Sequence, residues 1–436
     1  MNVIQKRNID IDLTTDYDWE ILKNIVVELS AAIKKLHKNS NKKILIIPPD
    51  YTRRGSFSGE ITTLLYSLLN EKIGAVLPAT GTHVPVTNDE RKDMFAGVPA
   101  ELFVAHRWKY DVITLGAVPQ KKVMEYSYGT YNKEWPIQVN KLLVEGNFDC
   151  IVSIGQVVPH EVVGMSNYSK NIFIGTGGPE AIHHSHYLSA LYGIEKIIGN
   201  LDTPVRKIMD YAEQMELLKT PVFHILTVVG ADRDSGISEK QKLKGIFAGT
   251  KRPCFELAAE YSQKINIINT KPYNHVVAYL DAKRYKSTWL ANKGIYRARS
   301  IVKDGGKLTV IAPGVMKFGE DKEIDIVIRK LGYRGSKIVR KEVSNNATYQ
   351  KCLSAAAHCI HGSSEERFTI EYAPGGISQT DIEKAGYSYV DENLAKKQLV
   401  PNSKKEGEYK HANGDTYYFI PEPAIGLWLP EESMGK

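Results

Sequence analysis

Cysteine is scarce in this chain of 436 residues: Cys150, Cys254, Cys352 and Cys359 are the four, and no two form a C-x-x-C pair. That excludes a disulfide framework and a cysteine-rich zinc site, and it fits a reducing compartment. Long apolar runs are also missing. No segment approaches the roughly 18 consecutive apolar residues of a membrane helix, and the opening MNVIQKRNIDIDL lacks the apolar stretch of a signal peptide. The expected location is the cytoplasm, with no membrane partner. Excess charge of one sign is small, +7. The densest basic run, Lys34, Lys35, His37, Lys38, Lys42 and Lys43, closes an expected helix, where basic side chains suit the C-terminus and aid solubility. No basic stripe is interleaved with aromatics, which argues against nucleic acid as a partner. Repeats, heptads and low-complexity segments are absent.

What is present is an alternation of helical and strand patterns. Ile21, Leu22, Ile25, Val26, Leu29, Ile33 and Leu36 recur at three- and four-residue steps and predict a helix over 19–37. Residues 43–48 form a short apolar run typical of a buried parallel strand. A helix over 58–69 follows, with further strands at 74–77, 112–115, 150–154 and 223–229. A helix over 255–271 leads to a junction, after which the alternation restarts. Strands are expected at 276–280, 308–312 and 368–372. Helices are expected at 287–304, 323–331 and 346–360, the first capped by Ser287 and stopped by Gly305-Gly306. Residues 409–420 read as a β-hairpin turning at Asn413-Gly414. The fold class is α/β. Two α/β domains with mostly parallel sheets, 1–270 and 271–436, are expected to flank an active-site cleft, the second closing over the first.

Catalytic-type side chains follow directly after strands, where ligands of open parallel sheets bind. Asp50 and Arg53 lie in the loop DYTR (50–53). Arg53 can grip a carboxylate or phosphate through two parallel hydrogen bonds, or the pair can be a structural ion pair. His83 follows a tight Thr80-Gly81-Thr82 turn and is placed to be a general base, or a hydrogen-bonded structural histidine. The stretch from His160 to His186 combines a histidine, the amine of Lys170, the glycine-rich turn 175–178 and the cluster HHSH (183–186). Backbone N–H groups around Thr176, Gly177 and Gly178 can cradle a phosphate at a helix start. Glu180 replaces the third glycine of the G-x-G-x-x-G fingerprint, which argues against an ordinary dinucleotide dehydrogenase. His183, His184 and His186 can ligate a metal, but their spacing fits neither H-E-x-x-H nor a zinc finger, and imidazole alone does not choose the metal.

The motifs DYTR (50–53), GTH (81–83), PHEVVGMSNYSK (159–170) and HHSH (183–186), in this order, resemble the nickel-pincer-dependent lactate racemase family. The resemblance is strong from Ile44 to His186 and weaker beyond residue 270. It implies a nickel-pincer nucleotide, a pyridinium mononucleotide whose two sulfur-bearing arms hold nickel through sulfur, carbon and sulfur. It implies that Lys170 forms the covalent thioamide link and that His186 is the remaining nickel ligand. His83 and His160 match the family's two bases, Asp50 and Arg53 its first-loop pair, and Lys293 its late lysine near the substrate carboxylate. It further implies partners in cofactor-biosynthesis enzymes and a small 2-hydroxy acid substrate.

That chemistry suits such a substrate. The C2–H of a 2-hydroxy acid is weakly acidic, because the neighbouring carboxylate disfavours a carbanion. Taking the hydroxyl proton while C2 gives up hydride avoids the carbanion, and return of hydride to the opposite face inverts the centre. A positioned base at each side contributes about 10²–10⁴-fold. The chain departs from the lactate enzymes at Val84, where they tend to have arginine, and at Trp289 and Leu290, where they have tyrosine and glutamine. Trp289 and Leu290 are a pocket wall or core packing; periodicity does not separate the two. The expected activity is racemisation or epimerisation of a 2-hydroxy acid other than lactate, such as a larger or sugar-derived one. The alternatives are a catalytically silent ligand- or cofactor-binding homologue and a zinc-dependent hydrolase using the histidine cluster.

Overall fold

The structure is a computed structural model that describes residues 3–37, 41–231 and 241–431; Lys38 of the basic run lies outside them. The chain divides into two compact units. Unit 1 holds Met1–Ile182, Asn200–Gly230 and the segment ending at Ile265, and unit 2 holds His183–Gly199 and Asn266–Lys436. One division falls between Ile182 and His183, inside the helix Pro179–Tyr192.

Among the described residues ten strands belong to unit 1: β1 (Ile4–Ile11), β2 (Lys43–Ile47), β3 (Ile73–Val76), β4 (Val112–Val118), β5 (Trp135–Asn140), β6 (Phe148–Gln156), β7 (Pro159–His160), β8 (Gly164–Met165), β9 (Val222–Ala231) and β10 (Gln241–Gly249). Six form one sheet in the order β1-β10-β9-β6-β2-β3. From β9 to β3 all pairs are parallel, and β1 pairs antiparallel with β10. Ile44, Leu45, Ile46 and Ile47 of β2 are all fully buried, as a strand covered on both faces requires. On the helix Asp16–His37, Leu22, Ile25, Val26, Leu29 and Ile33 form the buried stripe. His37 at its end does more than aid solubility: it is buried, and its Nδ1 lies 2.5 Å from Asp149. The run at 112–115 does not join the parallel sheet. As β4 it pairs antiparallel with β5 in a separate ribbon, and only Val118 of the strand is buried.

Unit 2 holds β11 (Ile267–Thr270), β12 (Tyr273–Tyr279), β13 (Val302–Ala312), β14 (Thr369–Pro374), β15 (Ser388–Tyr389), β16 (Gly407–Lys410), β17 (Thr416–Ile420) and β18 (Leu427–Pro430). Its six-stranded sheet runs β15-β14-β13-β12-β17-β16 and is parallel except for the β16–β17 hairpin, which turns at the expected Asn413-Gly414. β11 and β18 form a parallel pair.

The continuous helix expected over 287–304 is interrupted. It consists of Thr288–Ala291, Lys293–Ala298 and the 3₁₀ turn Arg299–Ile301, and β13 then begins at Val302. Gly305 and Gly306 do not stop a helix. They lie inside β13, where Gly305 takes φ +77° and a Cβ on Gly306 would come within 2.7 Å of the Asn274 carbonyl oxygen. The helix expected over 346–360 is likewise split into Ala347–Gln350 and Leu353–His361. The helix before the junction ends at Asn266, and β11 follows. Among the described residues no helix is long and apolar enough to cross a membrane.

β2, β3 and β6 are neighbours in the sheet, so the segments leaving their carboxyl ends emerge side by side: 48–57, 77–83 and 157–170. The third contains the β7–β8 hairpin, whose return strand starts at Gly164. That residue has φ +81°, and a Cβ would lie 1.9 Å from the Asn200 carbonyl oxygen. Gly164→Ala is expected to destabilise the protein by about 2 kcal/mol or more, measured as a lower urea midpoint; an unchanged midpoint would mean the hairpin can relax away from Asn200.

Candidate active site

Asp50 opens the 3₁₀ turn Tyr51–Ser56 and is 5% exposed. Its Oδ1 accepts from the Thr52 amide at 3.0 Å and from Thr52 Oγ1 at 2.5 Å. Its Oδ2 lies 2.6 Å from His83 Nδ1. An ionised carboxylate can only accept, so Nδ1 of His83 carries the proton and the neutral ring keeps its lone pair on Nε2. Burial alone would raise the Asp50 pKa; the adjacent His83, then Thr52 and Arg53, overcome it and hold the carboxyl down to about 2. The His83 loop is tied further along the chain, because the Gly81 amide donates to the Gly175 carbonyl at 2.8 Å.

The two arginines after Asp50 differ. Arg54 is held by Glu60 at 2.6 Å and Asp93 at 2.9 Å. The half-buried Arg53 side chain makes no hydrogen bond or ion pair among the described residues, and its charge bears on both Asp50 and Lys170. It is the guanidinium left available for a ligand anion.

His160 sits on β7 and is 8% exposed. The Val162 amide donates to its Nδ1 at 3.1 Å. The neutral ring therefore carries its proton on Nε2, opposite to His83. Glu161 Oε2 lies 3.9 Å from the same nitrogen, beyond hydrogen-bond reach.

Lys170 comes after two consecutive left-handed residues, Asn167 (φ +69°) and Tyr168 (φ +58°), and immediately before the π-helical turn Asn171–Gly175. Such backbone is unfavourable for non-glycine residues and persists only where neighbours over-determine it. Here they do. The fully buried Arg206 donates to the Met165 carbonyl, the Asn167 carbonyl at 3.2 Å and Ser169 Oγ at 2.8 Å. Asn171 Nδ2 donates to the Ile47 carbonyl at 3.3 Å and to Ser153 Oγ at 2.9 Å, stapling the turn to β2 and β6. Burial, followed by the charge of Arg53, lowers the Lys170 amine to about 8, with Glu161 and Asp50 pulling the other way. A substantial neutral fraction near pH 8 makes it a competent nucleophile. Arg206 and Asn171 escaped the sequence reading; two adjacent residues forced to positive φ leave no periodic signal.

The glycine-rich turn is dictated by close packing. A Cβ on Gly177 would meet the Phe173 carbonyl oxygen at 2.0 Å, and one on Gly178 would meet Gln138 Oε1 at 2.5 Å. Gln138 Oε1 accepts from the amides of Glu180 and Ala181 at 3.0 and 3.3 Å, so two donors of the helix start are engaged within the protein. Thr176 is fully buried with its hydroxyl on the Ile172 carbonyl at 2.7 Å. His106, unnoticed in the sequence, accepts from Asn140 and donates from Nε2 to the Gly177 carbonyl at 3.0 Å; burial lowers its pKa to about 4 and keeps it neutral.

In unit 2, His186 lies on the helix Pro179–Tyr192, with Ser185 Oγ 3.3 Å from its Nδ1. His183 Nδ1 lies 2.9 Å from Ser354 Oγ. Lys293 is 8% exposed, its ammonium 5.7 Å from the Tyr285 ring centre. Leu290 is part of the hydrophobic core, and the half-buried Trp289 packs against that core with its ring 4.9 Å from His358. His358, in turn, is held by Tyr296 at 2.6 Å and Tyr333 at 3.0 Å. Unit 1 thus brings together Asp50, Arg53, His83 and Lys170, with His160 on the adjoining hairpin, whereas His186, Trp289, Leu290 and Lys293 belong to unit 2. Among the described residues no three His, Cys, Asp or Glu side chains cluster so as to hold a metal.

Residues 15–195 match the family model described as the lactate racemase N-terminal domain. A Thermotoga maritima protein of known crystal structure superposes with a TM-score of 0.81 at 24% identity, covering 97% of this chain and 100% of that one. The lactate racemase apoprotein from Thermoanaerobacterium thermosaccharolyticum superposes with a TM-score of 0.69 at 19% identity, covering 93% and 92%. At these identities the likeness establishes the fold. No curated protein matches the sequence.

Two outcomes are expected. Acetylation of Lys170, followed by peptide mass spectrometry, has its midpoint near pH 8, against roughly 10.4 for an ordinary lysine; a midpoint at the ordinary value would refute the buried amine. For Asp50, the folded pKa lies below its ordinary value of 3.8, so its stability contribution is full above that value and lost as pH falls towards 2. Urea unfolding from pH 5 to 2 should show wild type losing about 2 kcal/mol more than Asp50→Asn; parallel profiles would refute it.

Proposed function

We propose, from the standing of this chain as a homologue of the lactate racemase family, that it inverts C2 of a 2-hydroxy acid larger than lactate, using a nickel-pincer nucleotide tethered through Lys170. The homology itself suggests a racemase-type function. The observation that carries the finer reading is the Lys170 amine, lowered to about 8 beside the unengaged Arg53 and the Asp50–His83 pair. A covalent tether needs a neutral, nucleophilic amine, and lowering Lys170 to about 8 raises that fraction far above an ordinary lysine's. The resemblance assigns to His186 the imidazole that would hold the nickel of such a group. When bound, the group supplies an electron-poor acceptor for the hydride of C2.

The protein's own residues do the rest. His83 starts with its Nε2 lone pair available and takes the substrate hydroxyl proton; the Asp50 carboxylate compensates the imidazolium that forms. His160 starts with its proton on Nε2 and hydrogen-bonds the substrate oxygen from the other side. Arg53 or Lys293 fixes the carboxylate. Trp289 stands where the lactate enzymes have a tyrosine, and the loss of that hydroxyl argues for a substrate tail different from the methyl group of lactate.

Protein produced together with cofactor-building enzymes should carry nickel and a mass adduct on Lys170, and His186→Ala should lose the nickel while remaining folded. His83→Ala should lower kcat by about 10²–10⁴-fold. Full turnover with neither adduct nor nickel would overturn the proposal. A panel of 2-hydroxy acids followed by chiral chromatography identifies the substrate; binding without inversion would instead favour a silent homologue, a reading motivated by Trp289 and Leu290.

A further inference from the structure

We infer that unit 1 contains a second small-molecule site, built around Tyr168 by Glu213, His224 and Phe173, which takes a small organic cation: an amine or amidine on an aromatic or apolar body. The site is a cavity of about 430 Å³, and none of Asp50, Arg53, His83, His160 or Lys170 lines it.

Tyr168 is the hub. Its hydroxyl donates to Glu213 at 2.7 Å, and its ring lies 4.5 Å from that of His224. Glu213 forms no ion pair among the described residues, and burial pushes its carboxyl up to about 7. It is a carboxyl with no cation in ion-pair contact among the described residues. His224 is 2% exposed on β9, and neither ring nitrogen makes a hydrogen bond among the described residues. Burial, helped by the charge of Arg206, keeps it neutral with a pKa of about 3. An unsatisfied buried imidazole is costly, and a ligand N–H or hydroxyl would satisfy it.

The surrounding charges select against an anion. Arg252 is fully engaged by Asp202, Asp210 and by Glu256 at 2.8 Å. Arg206 spends the hydrogen bonds it makes on the Lys170 segment and does not reach into the hollow's lining. Lys251 is exposed at the rim, and with Asp210 paired to Arg252 the remaining charge of the lining comes from Glu213 and Glu216. A cation gains the Glu213 carboxylate, and its body meets the apolar lining of Ile172, Phe173 and Pro221. Perturbed carboxyls gathered in a concave, partly apolar hollow are the usual mark of a ligand site.

The test is calorimetric titration of the full chain, without cofactor, with benzylamine and benzamidine, against benzyl alcohol and benzoate. The two cations should bind at least about tenfold more tightly than the alcohol, and benzoate more weakly than either. Glu213→Gln should reduce cation affinity about tenfold, with an unchanged melting temperature showing that it folds. Leu218→Trp, which fills the hollow from a partly exposed position, should abolish binding. Affinity should rise with pH through about 7 as Glu213 ionises. Equal binding of benzoate and benzylamine, or cation binding that survives both substitutions, would overturn the inference.

Discussion

A buried guanidinium holds the segment that presents the reactive amine. Arg206 has three hydrogen bonds to the chain between Met165 and Ser169, and its guanidinium lies 4.3 Å from the Phe255 ring centre. Asn167 and Tyr168 adopt left-handed backbone that an isolated chain would avoid. With the Met165 and Asn167 carbonyls and the Ser169 hydroxyl tied to Arg206, that backbone is held in place. Lys170 then emerges at the start of a π-helical turn that Asn171 fastens to the carboxyl ends of β2 and β6. The amine's position is thereby set by the sheet rather than by a free loop.

That placement creates the electrostatics of the site. The carboxyl ends of three neighbouring parallel strands deliver an aspartate, an arginine, two histidines and a lysine. Burial and Arg53 disfavour the ammonium of Lys170, whereas His83 and Arg53 favour the carboxylate of Asp50. One arginine thus pushes two titratable groups in the directions their chemistry needs. The two histidines receive opposite tautomers, one from a side-chain carboxylate and the other from a backbone amide. Neither partner of His160 nor that of His83 is interchangeable with the other, because a carboxylate accepts only and an amide N–H donates only.

The glycine-rich turn illustrates how composition and cause can differ. Gly177 and Gly178 are needed because the Phe173 carbonyl and the Gln138 side chain occupy the space of a Cβ. Their run resembles a phosphate loop in sequence, yet Gln138, 42 and 43 residues before the amides it caps, engages the helix start. In unit 2, Leu290 is core, and Trp289 is braced by His358 within a network of buried tyrosines.

The alternation of strands and helices, the parallel sheets and the terminal hairpin were legible from apolar periodicity, since a strand buried on both faces and an amphipathic helix each require their own spacing of side chains. The motif order DYTR, GTH, PHEVVGMSNYSK and HHSH carried the resemblance to the lactate racemase family. Breaks within elements were not legible: Gly305-Gly306 signals a helix stop and a tight strand equally well, and Asn292, between two short helices, bonds Tyr387, 95 residues away. Nor could spacing reveal that Asp50 and His83 meet at 2.6 Å, that Arg206 and Asn171 hold Lys170, or that Arg53 and not Arg54 is unengaged. The sequence by itself determined which side chains follow which strands, because that depends on neighbours along the chain. Only the tertiary structure decided their tautomers, proton affinities and free hydrogen-bonding capacity, because these depend on burial and on partners brought together across the sheet.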